Sequence, residues 1–257
     1  MNGLPRFDGP ENMRRDANLL RAAEQGAVGW RVYGWDGPWV SLGRYQRPQT
    51  ALRDSETIRW VIRPTGGKAV LHGHDVTLGL AVPLSHFGGE VRHGPRSLRA
   101  VYQGTIAPIV AALRACGMPA MLAEDLPISS QERGAEGESE GAANLEPNAL
   151  TPTLPRGERG FTTVRSADCF AVTSPNDVVH EISRAKVCGC ALRVTRSAVL
   201  VQASIPAGEP LIDPAEVYDS PAILSRYPWR PKDFAQAFER EMDAFLADRT
   251  PGIPTLK

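Results

Sequence analysis

The pattern of apolar and polar positions along the chain predicts three amphipathic helices. Apolar side chains recur at helical spacing over residues 11–25, 97–116 and 232–248, which would bury one face of each helix. Asn12 is expected to cap the first helix, and Ser97 is expected to cap the second. Both caps have the short polar side chain that accepts a hydrogen bond from the first helical turn.

Short apolar runs bounded by glycine and proline predict strands. Five runs, expected to form one sheet, lie at residues 30–33, 39–42, 60–62, 69–71 and 76–82. Later runs lie at residues 168–172, 186–194 and 198–204, and the last two are expected to form a hairpin through residues 195–197. Strands with three covering helices and no internal repeat favour the α+β class over alternating βαβ units.

Residues 128–160 differ in composition from the rest of the chain. They are rich in Glu, Gly, Ser, Ala, Asn and Pro and contain scarcely any aromatic residue. Such a segment cannot bury enough apolar area to offset its ordering entropy. We therefore expect a single domain over residues 1–257 that carries a disordered insertion at 128–160.

Charge and composition narrow the classes of partner. Lys plus Arg equals Asp plus Glu at 29 each, so no basic excess indicates a nucleic acid or an anionic membrane as partner. No apolar run approaches the ~20 residues of a spanning helix, and the first nine residues lack a secretory pattern. A cytoplasmic location is expected, where the four cysteines would remain thiols.

The segment from Arg63 to His72 contains paired glycines between two predicted strands. Gly66 and Gly67 would let backbone amides approach an anion or a carbonyl, and Arg63 and Lys68 add positive charge beside them. The alternative is a tight turn without a ligand. Neither the P-loop nor the dinucleotide fingerprint occurs here.

Cys169 is a candidate nucleophile at the end of the atypical segment. A cysteine attacks as the thiolate, so it needs a cation nearby to lower its pKa. Lys186 and His72 are the candidates for that cation. The alternative is that Cys169 is a small buried apolar side chain.

Strict alternation along the strand at 186–194 would place Lys186, Cys188 and Cys190 on one face. The Cys-x-Cys pair raises a metal hypothesis, but a zinc site needs about four ligands. The other Cys and His residues fall in no ligand-spaced cluster, so no metal site is expected. The two thiols are expected to pack against their neighbours.

In their order along the chain, these segments resemble the biotin/lipoate protein ligase family. The matching pieces are Asn12-Met13 ahead of Asp16 and Leu19-Leu20, Tyr33-Gly34-Trp35, Ser41 to Gln46, Arg63 to His72, Asp168-Cys169-Phe170, Lys186 to Ala191 and Gln202 to Ile205. Arg-Pro-Thr-Gly-Gly followed by a histidine, together with the Lys-Val-x-Gly-x-Ala strand, carries most of the resemblance. It spans nearly the whole chain outside residues 128–160.

The resemblance implies a fold and an activity. The fold would be a mixed, largely antiparallel sheet flanked by helices, of the class II synthetase-like catalytic-domain type. The nearest subgroup is the single-domain octanoyltransferases that use a cysteine, so Cys169 would take octanoyl as a thioester and Lys186 would bind the acyl carbonyl. The implied substrate-binding residues are Arg63, Thr65, Gly66, Gly67, Lys68, His72, Gly189 and Ala191.

The implied partners are octanoyl-acyl carrier protein as donor and a lipoyl domain or glycine cleavage H-type protein as acceptor. Octanoyl transfer would need no cofactor. Three alternatives stay open: an ATP- and Mg-dependent lipoate ligase in which Cys169 is a bystander, a non-catalytic acyl binder, and a redox or metal module built on Cys188 and Cys190.

Overall fold

The structure is a computed structural model that describes residues 3–87, 95–126, 166–175, 177–247 and 255–256. The insertion predicted at residues 128–160 lies outside the described residues. Within them, eleven strands form two sheets, and five α-helices pack around these sheets.

The larger sheet contains eight of the described strands in the order β1, β2, β6, β10, β9, β8, β7, with β11 paired to β2. The strands are β1 (Arg6–Phe7), β2 (Val28–Trp35), β6 (Asp75–Pro83), β7 (Ala120–Leu122), β8 (Val178–His180), β9 (Lys186–Val194), β10 (Ala198–Pro206) and β11 (Thr255–Leu256). β1 and β11 run parallel to β2, and the other pairs are antiparallel. This sheet and its helices confirm the predicted α+β class.

A smaller sheet lies beside the first and contributes one wall of the site. Its strands are β3 (Trp39–Leu42), β4 (Trp60–Ile62) and β5 (Val70–His72). β3 is central: Val40 pairs with Trp60 of β4 in parallel and with Leu71 of β5 in antiparallel register.

The helices cover both faces of the larger sheet. They are α1 (Gly9–Glu24), α2 (Pro48–Ala51), α3 (Pro95–Ala115), α4 (Pro214–Val217) and α5 (Phe234–Ala247). α3 and α5 pack on one face, where Ile106 and Phe238 join Leu78 and Leu80 in the main core. On the opposite face Leu20 of α1 packs against the same sheet. Every residue of β6 is therefore buried.

Two predictions about the strands are wrong. The early apolar runs do not form one sheet, because β3, β4 and β5 pair only with one another among the described strands. Residues 168–172 do not form a strand, because Cys169–Ala171 is a 3₁₀ turn whose start is capped by the Asp168 side chain accepting from the Phe170 amide. The predicted hairpin is confirmed, since β9 and β10 are antiparallel neighbours.

Both predicted helix caps are also wrong. α1 begins after Asp8, whose carboxylate accepts from the Glu11 amide. Asn12 lies inside α1, where its side-chain amide donates to the Phe7 and Gly34 carbonyls. Ser97 lies inside α3, which begins at Pro95. Among the described residues, no helix combines the length and the apolar character that crossing a membrane requires.

Candidate active site

A narrow cavity lies between the two sheets, beside α1. Its volume is about 20 Å³, which is room for about one water molecule. The residues that line it come from α1, β2, β3, β5, β6, β9, β10 and the turns at Arg63 and Cys169: Met13, Tyr33, Trp35, Ser41, Arg63, Val70, His72, Thr77, Cys169, Gly189, Cys190, Ala191, Gln202, Ala203 and Ser204.

Cys169 is held at the cavity edge by its backbone. The Cys169 amide donates to the Ala69 carbonyl and the Ala69 amide donates to the Ala167 carbonyl, each at 2.8 Å. The Asp168 carboxylate fixes the turn by accepting from the amides of Phe170 and Ala222. The thiol therefore projects from a turn that is tied to the start of β5.

Lys186 reaches Cys169 because β9 contains a bulge at its first residues. Lys186 pairs with Val179 and Cys188 pairs with Val178, so Val187 is an extra residue on one side of the pair. Such a bulge redirects the flanking side chains. Strict alternation therefore fails here: Val187 and Cys188 both enter the core, and Lys186 lies on the same side as Gly189.

The ammonium of Lys186 is surrounded by acceptors. Its Nζ donates to the Cys169 carbonyl at 2.8 Å and to Cys169 Sγ at 3.3 Å. It also forms an ion pair with Asp177 Oδ2 at 2.9 Å, in which both side chains are 5% exposed. We call Cys169, Lys186 and Asp177 the thiol array.

The charges in the thiol array do not give a free thiolate. Burial raises the pKa of Cys169 above its ordinary value of 9.0, and the nearby positive charges of Lys186 and Arg63 do not overcome that effect. The expectation that a neighbouring cation would lower this pKa is therefore wrong in its net direction, although Lys186 does act in the expected sense. The resting residue is a thiol at neutral pH.

Lys186 stays charged in this surrounding. Burial acts to lower its pKa, but the negative charges of Cys169 and Asp177 and the hydrogen bonds to them raise it above the ordinary value of 10.5. Because Cys169 is a neutral thiol at neutral pH, Asp177 is the anion that compensates the ammonium in the resting protein.

A second three-residue arrangement lies on another wall of the cavity. Ser41 Oγ is 2.7 Å from His72 Nε2, and His72 Nδ1 is 2.7 Å from Asp75 Oδ2. These residues are 2%, 3% and 1% exposed. The His72 ring stacks on Trp35 with centroids 4.0 Å apart. We call Ser41, His72 and Asp75 the serine array.

The sequence matches the family described as lipoyl protein ligase A/B catalytic domain over residues 8–208. The chain belongs to this family. The match covers α1 to β10 and both arrays, and it bears out the resemblance carried by the segments around Arg63, Cys169 and Lys186.

Several curated proteins that match this chain are named octanoyltransferase LipM. The protein from Carboxydothermus hydrogenoformans is 40% identical over 86 residues, which are 31% of this chain and 32% of that protein. The protein from Kyrpidia tusciae is 35% identical over 119 residues, which are 44% of this chain and 41% of that protein. The chain therefore aligns with less than half the length of these relatives.

Solved structures of lipoate protein ligases share the fold. A putative lipoate protein ligase from T. acidophilum superposes with a TM-score of 0.59 at 15% identity, covering 99% of this chain and 88% of that one. Lipoate-protein ligase A bound with ATP superposes with a TM-score of 0.58 at 15% identity, covering 99% and 87%. This likeness shows the fold of the lipoyl ligase family.

The paired glycines form a turn that Arg63 holds from below. Gly67 has a φ of 88°, a conformation that favours glycine. The Arg63 guanidinium donates to the carbonyls of Ser41, Gly66 and Lys68, at 2.9, 2.6 and 2.7 Å. The guanidinium thus stabilises the turn, and Arg63 is only 4% exposed.

The remaining predicted site residues take different positions. Gly189 and Ala191 line the cavity, whereas Thr65, Gly66, Gly67 and Lys68 do not. Thr65 donates its hydroxyl to Gln202 Oε1 at 2.7 Å. Lys68 contributes its backbone carbonyl to Arg63. Of the predicted set, the structure therefore brings Arg63, His72, Cys169, Gly189 and Ala191 to one cavity, with Lys186 touching Cys169 from outside it.

The Cys188 and Cys190 thiols are neighbours, with their sulfur atoms 3.6 Å apart. Cys188 is buried in the core, and Cys190 lines the cavity. Across the described part of the chain, no three His, Cys, Asp or Glu residues are grouped so as to hold a metal ion.

Several polar residues near the cavity were not singled out from the sequence. They are Asp177 of the thiol array, Ser41 and Asp75 of the serine array, and the buried carboxylate of Asp16, which accepts from Tyr33 and Gln202. Asp16 and Ser41 fall within segments of the family resemblance. Asp177 had only a weak signal, an acidic residue directly before the apolar strand β8.

A wider groove borders the thiol array on the side away from the cavity. Its volume is about 500 Å³, and it is lined by Lys186, Val187, Met118 and parts of the chain between Pro206 and Pro231. Cys169 lines the narrow cavity while Lys186 lines this groove. The thiol array therefore lies between two spaces of very different size.

Proposed function

We propose that this protein is an octanoyltransferase that carries the octanoyl group on Cys169 and passes it to a lysine of an acceptor protein. The observation that carries the proposal is the 3.3 Å contact between Cys169 Sγ and Lys186 Nζ at the cavity edge. A thiol beside a fixed ammonium is the pair that thioester exchange needs: a nucleophile and a charge to stabilise the oxyanion.

In the first step, a bond forms between Cys169 Sγ and the acyl carbonyl carbon of the donor thioester. The bond from that carbon to the donor sulfur breaks, and the proton of the Cys169 thiol ends on the departing donor thiol. Exchange of one thioester for another is nearly isoenergetic, so we expect no nucleotide or metal to be required. Lys186 donates to the oxyanion during this step.

In the second step, the amine of the acceptor lysine attacks the thioester on Cys169. An amide bond forms, the carbon–sulfur bond breaks, and the proton released by the amine returns to the Cys169 thiol. The groove of about 500 Å³ beside Lys186 is the path we assign to the donor's thiol arm and to the acceptor lysine. The acyl chain would occupy the narrow cavity, which has to widen to admit it.

The relatives support this choice of reaction and partners. The matched LipM proteins are named octanoyltransferases, and octanoyl-acyl carrier protein is the donor we propose. One neighbouring structure is of a bi-partite lipoate protein ligase and its E2 lipoyl domain from Thermoplasma acidophilum. A lipoyl domain, or a glycine cleavage H-type protein, is accordingly the acceptor we propose.

The contact between Cys169 and Lys186 favours the transferase over its alternatives. In an ATP-dependent ligase, Lys186 would contact an acyl-adenylate and Cys169 would have no role. In a non-catalytic binder, neither residue would need the other. A thiol held within 3.3 Å of an ammonium by a capped turn and a bulged strand has the arrangement that covalent transfer requires.

The proposal is tested by mixing the protein with octanoyl-acyl carrier protein, without nucleotide, and measuring the intact mass. We expect one octanoyl adduct that hydroxylamine removes, and no adduct on Cys169→Ala. When a lipoyl domain is added, the octanoyl group should move to it as an amide that resists hydroxylamine.

Cys190→Ala is the matched control, because Cys190 is the other thiol that lines the cavity. It should keep the adduct. An adduct lost in Cys190→Ala and kept in Cys169→Ala would overturn the assignment of the nucleophile. Modification of the acceptor only with lipoate and ATP would show a ligase, and octanoate binding without any adduct would show a binder.

A further inference from the structure

The carboxylate of Asp177 is a buried charge that the proposed transfer does not yet use. Its Oδ2 atom lies 2.9 Å from Lys186 Nζ, and both side chains are 5% exposed. We infer that Asp177 is a positioning residue of the transfer, which holds the Lys186 ammonium against Cys169 through both steps. This inference rests on the proposed function and adds the third member to its reacting pair.

Asp177 is itself fixed before it meets Lys186. Its Oδ2 accepts from the Ser174 amide at 2.7 Å and from the Ser174 hydroxyl at 3.0 Å. Its backbone carbonyl accepts from the Ala123 amide at 2.8 Å. These contacts tie the carboxylate to the turn at Ser174 and to the segment after β7, so it presents a fixed anion directly before β8.

Lys186 has four acceptors within reach of its ammonium, of which the Val172 carbonyl, at 3.4 Å, is the most distant. Nζ donates to Asp177 Oδ2, to the Cys169 carbonyl and to Cys169 Sγ, at 2.9, 2.8 and 3.3 Å. An ammonium has three hydrogens to give. The two nearest acceptors, the Cys169 carbonyl and the Asp177 carboxylate, thus hold the nitrogen beside Cys169 Sγ, where it can donate to the oxyanion that develops on the acyl carbonyl oxygen.

A fixed anion is needed because the charge on Cys169 changes during the reaction. The resting thiol is neutral, and the sulfur of the thioester intermediate carries no charge either. Burying an ammonium without a counter-ion carries a large desolvation penalty. Asp177 is the carboxylate in contact with Lys186 in both states, so it keeps the ammonium in place while the acceptor amine attacks.

The charged and titratable groups that face Lys186 come from three places. Cys169 and Asp168 belong to the 3₁₀ turn and its cap, Asp177 precedes β8, and Cys190 lies on β9 itself. Asp177 is the one of these groups that forms an ion pair with Lys186. Removing its charge should therefore lower the pKa of Lys186.

The test compares Asp177→Asn with Ser174→Ala. Asparagine keeps an oxygen that accepts from Ser174 but loses the charge, whereas Ser174→Ala removes a hydrogen bond and keeps the carboxylate. The first readout is an NMR titration of the Cε positions in protein labelled at lysine. The chain has four lysines, Lys68, Lys186, Lys232 and Lys257, so the Lys186 signal can be assigned with a Lys186→Arg variant.

We expect the Lys186 signal of Asp177→Asn to titrate at lower pH than in the parent protein, because burial is then opposed by less negative charge. Ser174→Ala should titrate as the parent does. The second readout is the rate of octanoyl adduct formation, which should fall roughly 10- to 100-fold in Asp177→Asn, the usual loss when an orienting partner is removed. On the alkaline side of the pH profile, the rate of adduct formation should begin to fall at a lower pH in Asp177→Asn than in the parent protein.

The two readouts fail separately. If the parent protein forms no octanoyl adduct, the proposed function falls, while the NMR titration still decides whether Asp177 sets the charge of Lys186. If Asp177→Asn titrates and transfers as the parent does, Asp177 serves only the turn at Ser174, and the inference is overturned. A rate loss as large in Ser174→Ala as in Asp177→Asn would overturn it as well.

Discussion

The thiol array and the serine array have nearly the same geometry but opposite surroundings. In each array a nitrogen atom lies between a carboxylate and a sulfur or oxygen atom that could act as a nucleophile. The distances are 3.3 and 2.9 Å across Lys186, and 2.7 and 2.7 Å across His72. Hydrogen-bond geometry alone would rank the serine array higher, since it has the Ser–His–Asp order of hydrolases.

The surroundings reverse that ranking. The serine array lies within β3, β5 and β6, and Asp75 Oδ2 also accepts from Thr77 and Ser204. Ser41, in turn, receives the guanidinium of Arg63 on its carbonyl. Each group of this array is thus committed to holding the two sheets and the glycine turn together.

The thiol array lies at the ends of its elements and between two spaces. Cys169 is in a turn, Lys186 is the first residue of β9, and the groove of about 500 Å³ opens beside Lys186. A carbonyl placed between the two spaces would lie beside both the sulfur, which lines the cavity, and the ammonium, which lines the groove. The difference teaches that access, more than the order of hydrogen-bonded groups, favours the thiol array as the candidate for the reaction.

Removing the carboxylate of the serine array should have the largest effect, and it should be on stability. Asp75→Ala leaves His72, Thr77 and Ser204 without their shared acceptor. We expect the free energy of unfolding to fall by about 3–5 kcal/mol, the usual cost of breaking a buried ionic or strongly polar pair, as measured by urea unfolding. A loss under about 1 kcal/mol would show that the array does not hold the sheets.

The pH dependence of stability gives a second test of the role of the Asp75 carboxylate. Burial acts to raise the pKa of Asp75, but the charge and hydrogen bond of His72 outweigh it and hold that pKa below 3.8. The folded state therefore binds this proton more weakly than the unfolded state. The resulting stability is present above about pH 4 and is lost as the pH falls further, and Asp75→Ala should lose that acid dependence.

Replacing the central residue of each array should separate chemistry from structure. Lys186→Gln removes the ammonium that faces the oxyanion, so octanoyl adduct formation should slow by about 10²–10³, or about 2.7–4 kcal/mol in activation free energy. His72→Gln, assayed at a temperature where it remains folded, should lose less than about tenfold. Time courses of intact mass give both rates. An equal loss in His72→Gln would place the serine array in the reaction.

The sequence predicts most helices and strands but not how the strands pair. Each apolar run shows that a strand exists, because burial of one or both faces leaves its mark on residue type. It does not show the partner, so β3 and β5 were expected in the same sheet as β6. The 3₁₀ turn at Cys169 was not predicted for a different reason. The cap that the Asp168 side chain forms outweighs the strand preference of Phe170 and Val172.

The site was predictable in its main pair and not in its details. Cys169 and Lys186 follow from their residue types and the family resemblance. No local sequence pattern links Asp177 to Cys169 or Lys186. A regular alternation of side chains likewise does not predict the bulge at Val187. The direction of the Cys169 pKa shift depends on burial, which is a property of the folded chain.

The smallest expected effect comes from the fit between β9 and the thiol. A Cβ at Gly189 would lie 3.2 Å from Cys169 Sγ and 3.6 Å from Lys186 Cε. Gly189→Ala should therefore push the sulfur by a few tenths of an ångström and slow adduct formation roughly 3- to 10-fold, since a 1 Å misplacement can cost about 10²-fold. Stability should stay within about 1 kcal/mol of the parent, because alanine suits a strand better than glycine.

Gly66→Ala is the matched control for this substitution, because a Cβ at Gly66 meets nothing within 4 Å. It should leave the rate of adduct formation unchanged. If Gly189→Ala transfers octanoyl as fast as the parent, the sulfur has room to move without loss, and the close packing of the thiol array is not what sets its reactivity. If both variants slow adduct formation equally, the glycine turn and β9 both contact the acyl chain. The effect of Gly189→Ala would then not come from its contact with Cys169 and Lys186 alone.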